Sequence, residues 1–191
     1  QQALSFKPCE ILRTQSEIDR SSRFLRDQGL LLNECDAKNW DLAHILPRLG
    51  HGNMLDMGCQ GSIVLDNAKK LGLAGEKIGI DLVELPAREG IRLIKGDLTD
   101  TGLPAAHFDY LTCLSVIEHG VDVRAFVAEC ARLLKPGGKL FVTFDYWNPK
   151  ISTDLRLFDL AWTLFDRSDA ENLIQECKNA GLEIRSEEHT S

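Results

Sequence analysis

Residues 53–72, NMLDMGCQGSIVLDNAKKLG, decide how this chain folds. A short apolar stretch containing Asp56 runs into Gly58, and the chain bends through Gly61. From about Ser62 the spacing turns helical, with Val64, Ala68 and Leu71 at i, i+4 and i+7 before Gly72. The stretch reads as strand, glycine turn, helix. Glycine lets the backbone bend tightly and lets a ligand approach the main chain. A helix opening offers N–H groups that could seat a carboxylate or phosphate. Asp56 at the strand end is a poor neighbour for a pyrophosphate and a better one for a cation. The turn is also irregular, since Gln60 and Ser62 stand where glycine-rich loops often have glycines.

Outward from this turn, strand and helix patterns alternate. Residues 77–82 (KIGIDL), 91–97 (IRLIKGD), 108–117 (FDYLTCLSVI) and 139–144 (KLFVTF) read as strands. DVRAFVAECARLLKPGG reads as an amphipathic helix, with Phe126, Val127, Cys130, Leu133 and Leu134 on one side and Pro136-Gly137-Gly138 as its stop. A later helix is expected to start at Ser168 with Glu171 as its capping partner and to end at Gly181, with residues 182–184 opening another strand. Residues 1–50 read as a helical lead-in. One helix is expected from a Ser16–Asp19 start to Gly29. A second begins near Asp36, with Trp40, Ala43 and Leu46 on a shared face.

Alternating strands and helices imply an α/β, Rossmann-like, doubly wound and mostly parallel sheet with helices on both faces. Ligands of such sheets sit at the carboxyl ends of the strands, at the topological switch point. Asp56, Asp81, Asp97 and residues 115–119 therefore become the side chains of interest. A carboxylate at the end of the second strand, as Asp81 is, can accept hydrogen bonds from ribose hydroxyls.

A length of 191 residues suits one domain with a sizeable core. The formal charge of −7, from 22 basic and 29 acidic residues, argues against nucleic acid or an anionic membrane surface as partner. No apolar run approaches the ~18–20 residues that span a bilayer. The six cysteines include no C-x-x-C pair, and His44, His51 and His107 show no ligand grouping, so no metal is expected. Reduced thiols in a cytoplasmic protein fit this cysteine usage. The sequence leaves the oligomeric state open.

Taken in order and spacing, NMLDMGCQGS, KIGIDL, IKGDLTDTGLP, FDYLTCLSVIEHG and LLKPGGKLFVTF resemble the class I S-adenosylmethionine-dependent methyltransferases, in particular the small-molecule group called methyltransferase type 11. The resemblance covers residues 53–145 well and 146–184 more loosely. It implies S-adenosyl-L-methionine as cofactor and a small-molecule acceptor with an O or N nucleophile. Asp56 and Gly58 would line the methionine end, Gly61 would form the turn beneath it, and Asp81 would hold the ribose. Asp97 with the backbone of Leu98 would meet adenine, and Leu114 and Ser115 would pass under the ligand. Glycine is usual in the family where Gln60 stands, which bears on cofactor affinity.

His119, just past the fourth strand, is the candidate general base, with Glu118 beside it. Tyr146 and Trp147, after the fifth strand, are candidates to stack on substrate, and Trp40 to lie over the site as part of a lid. Two other readings stand beside this one. One is a degenerate methyltransferase fold kept as a binding or scaffolding module. The other is a nicotinamide-dependent oxidoreductase, disfavoured because no G-x-G-x-x-G follows the first strand.

The expected organisation is a lead-in or lid over residues 1–50, the methyltransferase domain over 51–184, and a tail over 185–191. That tail, RSEEHTS, resembles a translated sequencing adapter and is expected to be non-native. The family's sheet normally has seven strands, so the domain reads as C-terminally truncated, with its fifth strand facing an unfilled slot and the fragment less stable than its parent.

Overall fold

A computed structural model describes residues 9–157 and 159–185, with Leu157 as backbone only. The proposed tail beyond residue 185 lies outside the described residues.

The chain opens with α1 (Gln15–Asp27) and α2 (Asp36–Ile45), followed by a 3-10 turn over Leu46–Arg48. Five strands follow: β1 (Met54–Met57), β2 (Lys77–Asp81), β3 (Arg92–Lys95), β4 (Phe108–Leu114) and β5 (Leu134–Thr143). Helix α3 (Val64–Lys70) joins β1 to β2, and α4 (Val123–Leu133) joins β4 to β5. A small antiparallel hairpin, β6 (Arg156–Leu157) and β7 (Leu160–Ala161), precedes α5 (Arg167–Asn179).

The five strands are all parallel, in the order β3-β2-β1-β4-β5. From β1 the chain winds outward through β2 to β3, then returns to lay β4 on the other side of β1. The switch point is therefore the β1/β4 boundary, where the crevice for a ligand opens.

Side chains alternate across the sheet. Leu55, Met57, Ile78, Ile80, Leu111 and Cys113 face one core with Phe126, Val127, Cys130 and Leu173. Met54 faces the other core, with Leu25 of α1, Leu42 and Ile45 of α2, and Val64 and Leu65 of α3. The N-terminal helices thus share a core with the sheet. Among the described residues, no helix is long and apolar enough to cross a membrane.

Several boundaries differ from those expected. Helix α1 is capped by Thr14 with Glu17, not by Ser16 with Asp19: Thr14 takes the extended conformation, its side chain accepts from the Glu17 N–H, and Glu17 Oε2 accepts from the Thr14 N–H at 2.8 Å. Helix α5 is likewise capped by Asp166 with Asp169 in place of Ser168 with Glu171. In both cases two overlapping frames carry the same residue pattern, and the extended residue lies two positions earlier. The helix after the glycine turn begins at Val64, two residues beyond Ser62. Helix α4 ends at Leu133, before Pro136, and the Lys135–Gly138 region is absorbed as a register shift where β5 joins β4. Residues 182–184 form no strand.

Candidate functional site

The carboxyl end of β1 is held by its neighbours. Gly58 turns at φ 75°, and a Cβ there would come within 2.4 Å of Val116 Cγ2. Gly61 also has positive φ, but a Cβ there would meet nothing within 4 Å, so the space beside it is open. The N–H groups of Gly58 and Cys59 both donate to the Ile80 carbonyl, at 2.8 and 3.2 Å. The Gln60 N–H donates to Asp81 Oδ2 at 2.9 Å. Three successive loop N–H groups are thus consumed by the end of β2. The loop is a rigid corner and a poor phosphate cradle.

Asp56 sits beneath this corner, 1% exposed. Its Oδ1 accepts from Thr112 Oγ1 at 2.6 Å, and its Oδ2 is buried without a hydrogen-bond partner among the described residues. Burial raises its pKa; Ser62, Thr112 and Arg88 oppose the shift, and Asp81 adds to it. Ser62 stands close enough to act on the charge without making a well-formed hydrogen bond to Oδ2. A buried carboxylate oxygen with no partner is costly, and a cationic ligand would relieve the cost.

Asp81 closes β2 and also accepts from the Val83 N–H through Oδ1, at 3.2 Å. Asp97 lies just past β3 at the same sheet edge. It is exposed, and its Oδ1 is engaged by the N–H and Oγ1 of Thr99 at 2.8 and 2.7 Å. Leu98 is buried in the core.

A cleft of about 130 Å³ opens between the corner and α2. Gln60, Gly61, Ser62, Ile63 and Leu114 form one wall; Asn33, Cys35, Lys38 and Leu42 form the other. Lys38 Nζ donates to Ser115 Oγ, and Ser115 holds φ 52°, a conformation uncommon outside glycine. Trp40 does not line this cleft; its ring stacks on His44, with centroids 4.4 Å apart. Lys38 and Leu42, on the same helix, do line it.

Beyond Ser115, Glu118 is fully buried. Its Oε1 accepts from the Asp145 N–H at 3.0 Å, and its carbonyl accepts from the Thr163 N–H at 2.8 Å. Burial pushes its pKa up to about 7. Asp41 of α2 is held at about 6, also by burial, with Thr143 Oγ1 donating to it at 3.3 Å. His119 is half-buried, and burial lowers its pKa, so a neutral imidazole is favoured. Tyr146 bridges to Phe165, and Trp147 is 57% exposed; neither lines the cleft. No group of three or more His, Cys, Asp or Glu side chains suited to a metal occurs among the described residues.

Residues 55–142 match the family described as "Methyltransferase domain". This chain carries a methyltransferase domain of the class I fold. The methyltransferase domain also resembles two ubiquinone biosynthesis O-methyltransferases. That of Stutzerimonas stutzeri is 31% identical over 59% of this chain and 51% of its own length. That of Sodalis glossinidius is 35% identical over 57% and 49%. The chain therefore spans about half the length of the curated relatives it matches. An S-adenosylmethionine-dependent methyltransferase from Mesorhizobium loti shares its fold, with a TM-score of 0.63 at 18% identity over 78% of this chain and 82% of that one. So does phosphoethanolamine N-methyltransferase 2 of Haemonchus contortus, with a TM-score of 0.61 at 18% identity over 88% and 42%.

The methyltransferase domain's cleft includes residues that the sequence did not point to: Asn33, Cys35, Lys38 and Leu42. Helix α2 buries Asn39, Asp41 and His44 as well as Leu42, Ala43 and Ile45, so no polar face betrays its inner side. A Lys–Asp pair three residues apart on a helix that also carries the core residues Leu42, Ala43 and Ile45 was the available signal.

Proposed function

We propose that this chain transfers a methyl group from S-adenosyl-L-methionine to a hydroxyl oxygen of a small-molecule biosynthetic intermediate. The observation that carries the cofactor reading is the unpartnered Asp56 Oδ2 under a corner whose N–H groups are already taken by β2. Such a corner suits a cationic amino-acid end and not a pyrophosphate, which also weighs against a nicotinamide-dependent oxidoreductase. The names of the curated relatives support oxygen as the nucleophile.

When bound, the cofactor supplies a methyl group already made electrophilic by its sulfonium. Asp56 pairs with the cationic end, Gly58 lets it approach, and Gly61 leaves room above the turn. Asp81 meets the ribose hydroxyls with the lone pairs not used by Gln60 and Val83. Asp97 and the Leu98 backbone flank the adenine, and Leu114 and Ser115 form the floor. His119, kept neutral by burial, takes the acceptor proton, while Glu118 ties the β4 turn to the loop carrying Tyr146 and Trp147. Orientation of the two reactants accounts for most of the acceleration, on the order of 7–11 kcal/mol.

Isothermal titration with S-adenosylhomocysteine, paired with methyl-transfer assays on phenol and amine acceptors, tests the reading. Binding with turnover of phenols is expected, and Asp56→Asn should weaken binding at least tenfold. Protection from heat by NAD(P)H in place of S-adenosylhomocysteine would refute the cofactor; binding without turnover would favour a scaffolding module.

A further inference from the structure

We propose that Lys38 is a catalytic residue of this methyl transfer, its ammonium stabilising the negative charge that develops on the acceptor oxygen as its proton leaves. The inference rests on the proposed function above. Among the described residues, Lys38 is the one charged side chain lining the cleft. An ammonium has three donors. One is committed to Ser115 Oγ, and the nearest carboxylate oxygen, Asp41 Oδ2, lies at 3.9 Å, too far for a strong hydrogen bond. Donor capacity is therefore left over, at the mouth between the glycine corner and the end of β4.

The groups around Lys38 leave its charge effective. They are Asp41 on its own helix, Cys113 on β4, and Ser115, Glu118 and His119 after it; Thr143 bonds to Asp41, and Asp145, just past β5, acts on Asp41, Glu118 and His119. Burial raises Glu118 to about 7, so near neutrality it is partly protonated and cancels less positive charge than its formal count suggests, while Asp41, at about 6, is mostly ionised and stands 3.9 Å from the ammonium. Burial chiefly lowers the pKa of His119; Asp145 opposes the shift, and Lys38 adds to it to a lesser degree. A cation that favours the oxyanion and a neutral base that accepts its proton then act on one hydroxyl.

The step balances. The acceptor O–H proton passes to the His119 imidazole, an oxygen lone pair forms the new O–C bond, the S–C bond breaks, and its electron pair stays on sulfur as a neutral thioether. A preorganised donor aimed at developing charge is worth ~10²–10³ in kcat.

The test uses the full chain and a series of phenols of graded acidity. Lys38→Met is expected to lower kcat ~10²–10³-fold while the Kd for S-adenosylhomocysteine stays within about threefold. The loss should be greatest for the least acidic phenols, which depend most on charge stabilisation, and Lys38→Arg should recover part of it. Should Lys38→Met fail to fold by circular dichroism, Ser115→Ala, which removes the orienting bond, is expected to show the same acidity-dependent trend with a smaller drop. Unchanged kcat, or a loss equal across the series, overturns the proposal. Weakened S-adenosylhomocysteine binding with kcat kept would place Lys38 at the cofactor and overturn it too, leaving the proposed function standing. An unaltered chain that binds S-adenosylhomocysteine and methylates nothing would sink the function and this inference together.

Discussion

At the scale of single residues, two glycines of the same turn make opposite demands. Gly58 and Gly61 both hold positive φ, but only Gly58 faces an obstacle: Val116 lies 2.4 Å from where a Cβ would stand. Gly58→Ala adds overpacking to backbone strain and is expected to cost about 2–4 kcal/mol, whereas Gly61→Ala should cost about 1 kcal/mol. Urea denaturation of the two variants compares them directly. Glu118 makes a pH prediction. Its folded pKa, about 7, is raised above the ordinary 4.5 by burial, so the folded state binds the extra proton. The associated stabilisation is complete below about pH 4.5 and is lost as pH rises through 7, a change on the order of 3 kcal/mol. Glu118→Gln keeps an acceptor for the Asp145 N–H and cannot ionise, so the fall in urea midpoint between pH 5 and 7.5 should flatten. An equally steep fall in the variant would show that another group is responsible.

At the scale of elements, α2 is both core and cleft wall. Leu42 is 1% exposed, packs against the β1 and α3 side of the sheet, and lines the cleft. Leu42→Ala is expected to cost about 2–5 kcal/mol of stability and to weaken S-adenosylhomocysteine binding, as read by a lowered Tm and by titration calorimetry. Leu25→Ala, in the same core on α1 but absent from the cleft lining, should cost similar stability while leaving the affinity of the folded protein nearly unchanged. Equal losses of affinity in both variants would mean that α2 shapes the cleft only through general stability.

At the scale of the whole molecule, one sheet serves two cores. Trp40 reports from α2, while Trp147 and Trp162 report from the region after β5. Because β1 and β4 contribute side chains to both cores, tryptophan fluorescence and far-ultraviolet circular dichroism should report one coincident unfolding transition. A ligand confined to the switch point should stabilise that single transition. S-adenosylhomocysteine at a hundredfold excess over its Kd is expected to add about 2.7 kcal/mol. An early transition seen by Trp40 alone would instead make the N-terminal helices a separately melting lid.

The sequence by itself determined the alternation of buried strands and helices, the glycine corner after β1 and the carboxylates at the strand tips, because periodicity, glycine conformational freedom and strand-end position are local properties. It misplaced the starts of α1 and α5, where neighbouring residues offer equivalent caps and only the backbone's course chooses between them. Tertiary structure alone decided that the corner's N–H groups are spent on Ile80 and Asp81, that Asp56 keeps an unpaired oxygen, and that Lys38 reaches Ser115, 77 positions away along the chain. Those facts depend on which strands become neighbours and on how α2 lies across their ends. Packing energy summed over the two cores sets both, and no short window of residues contains it.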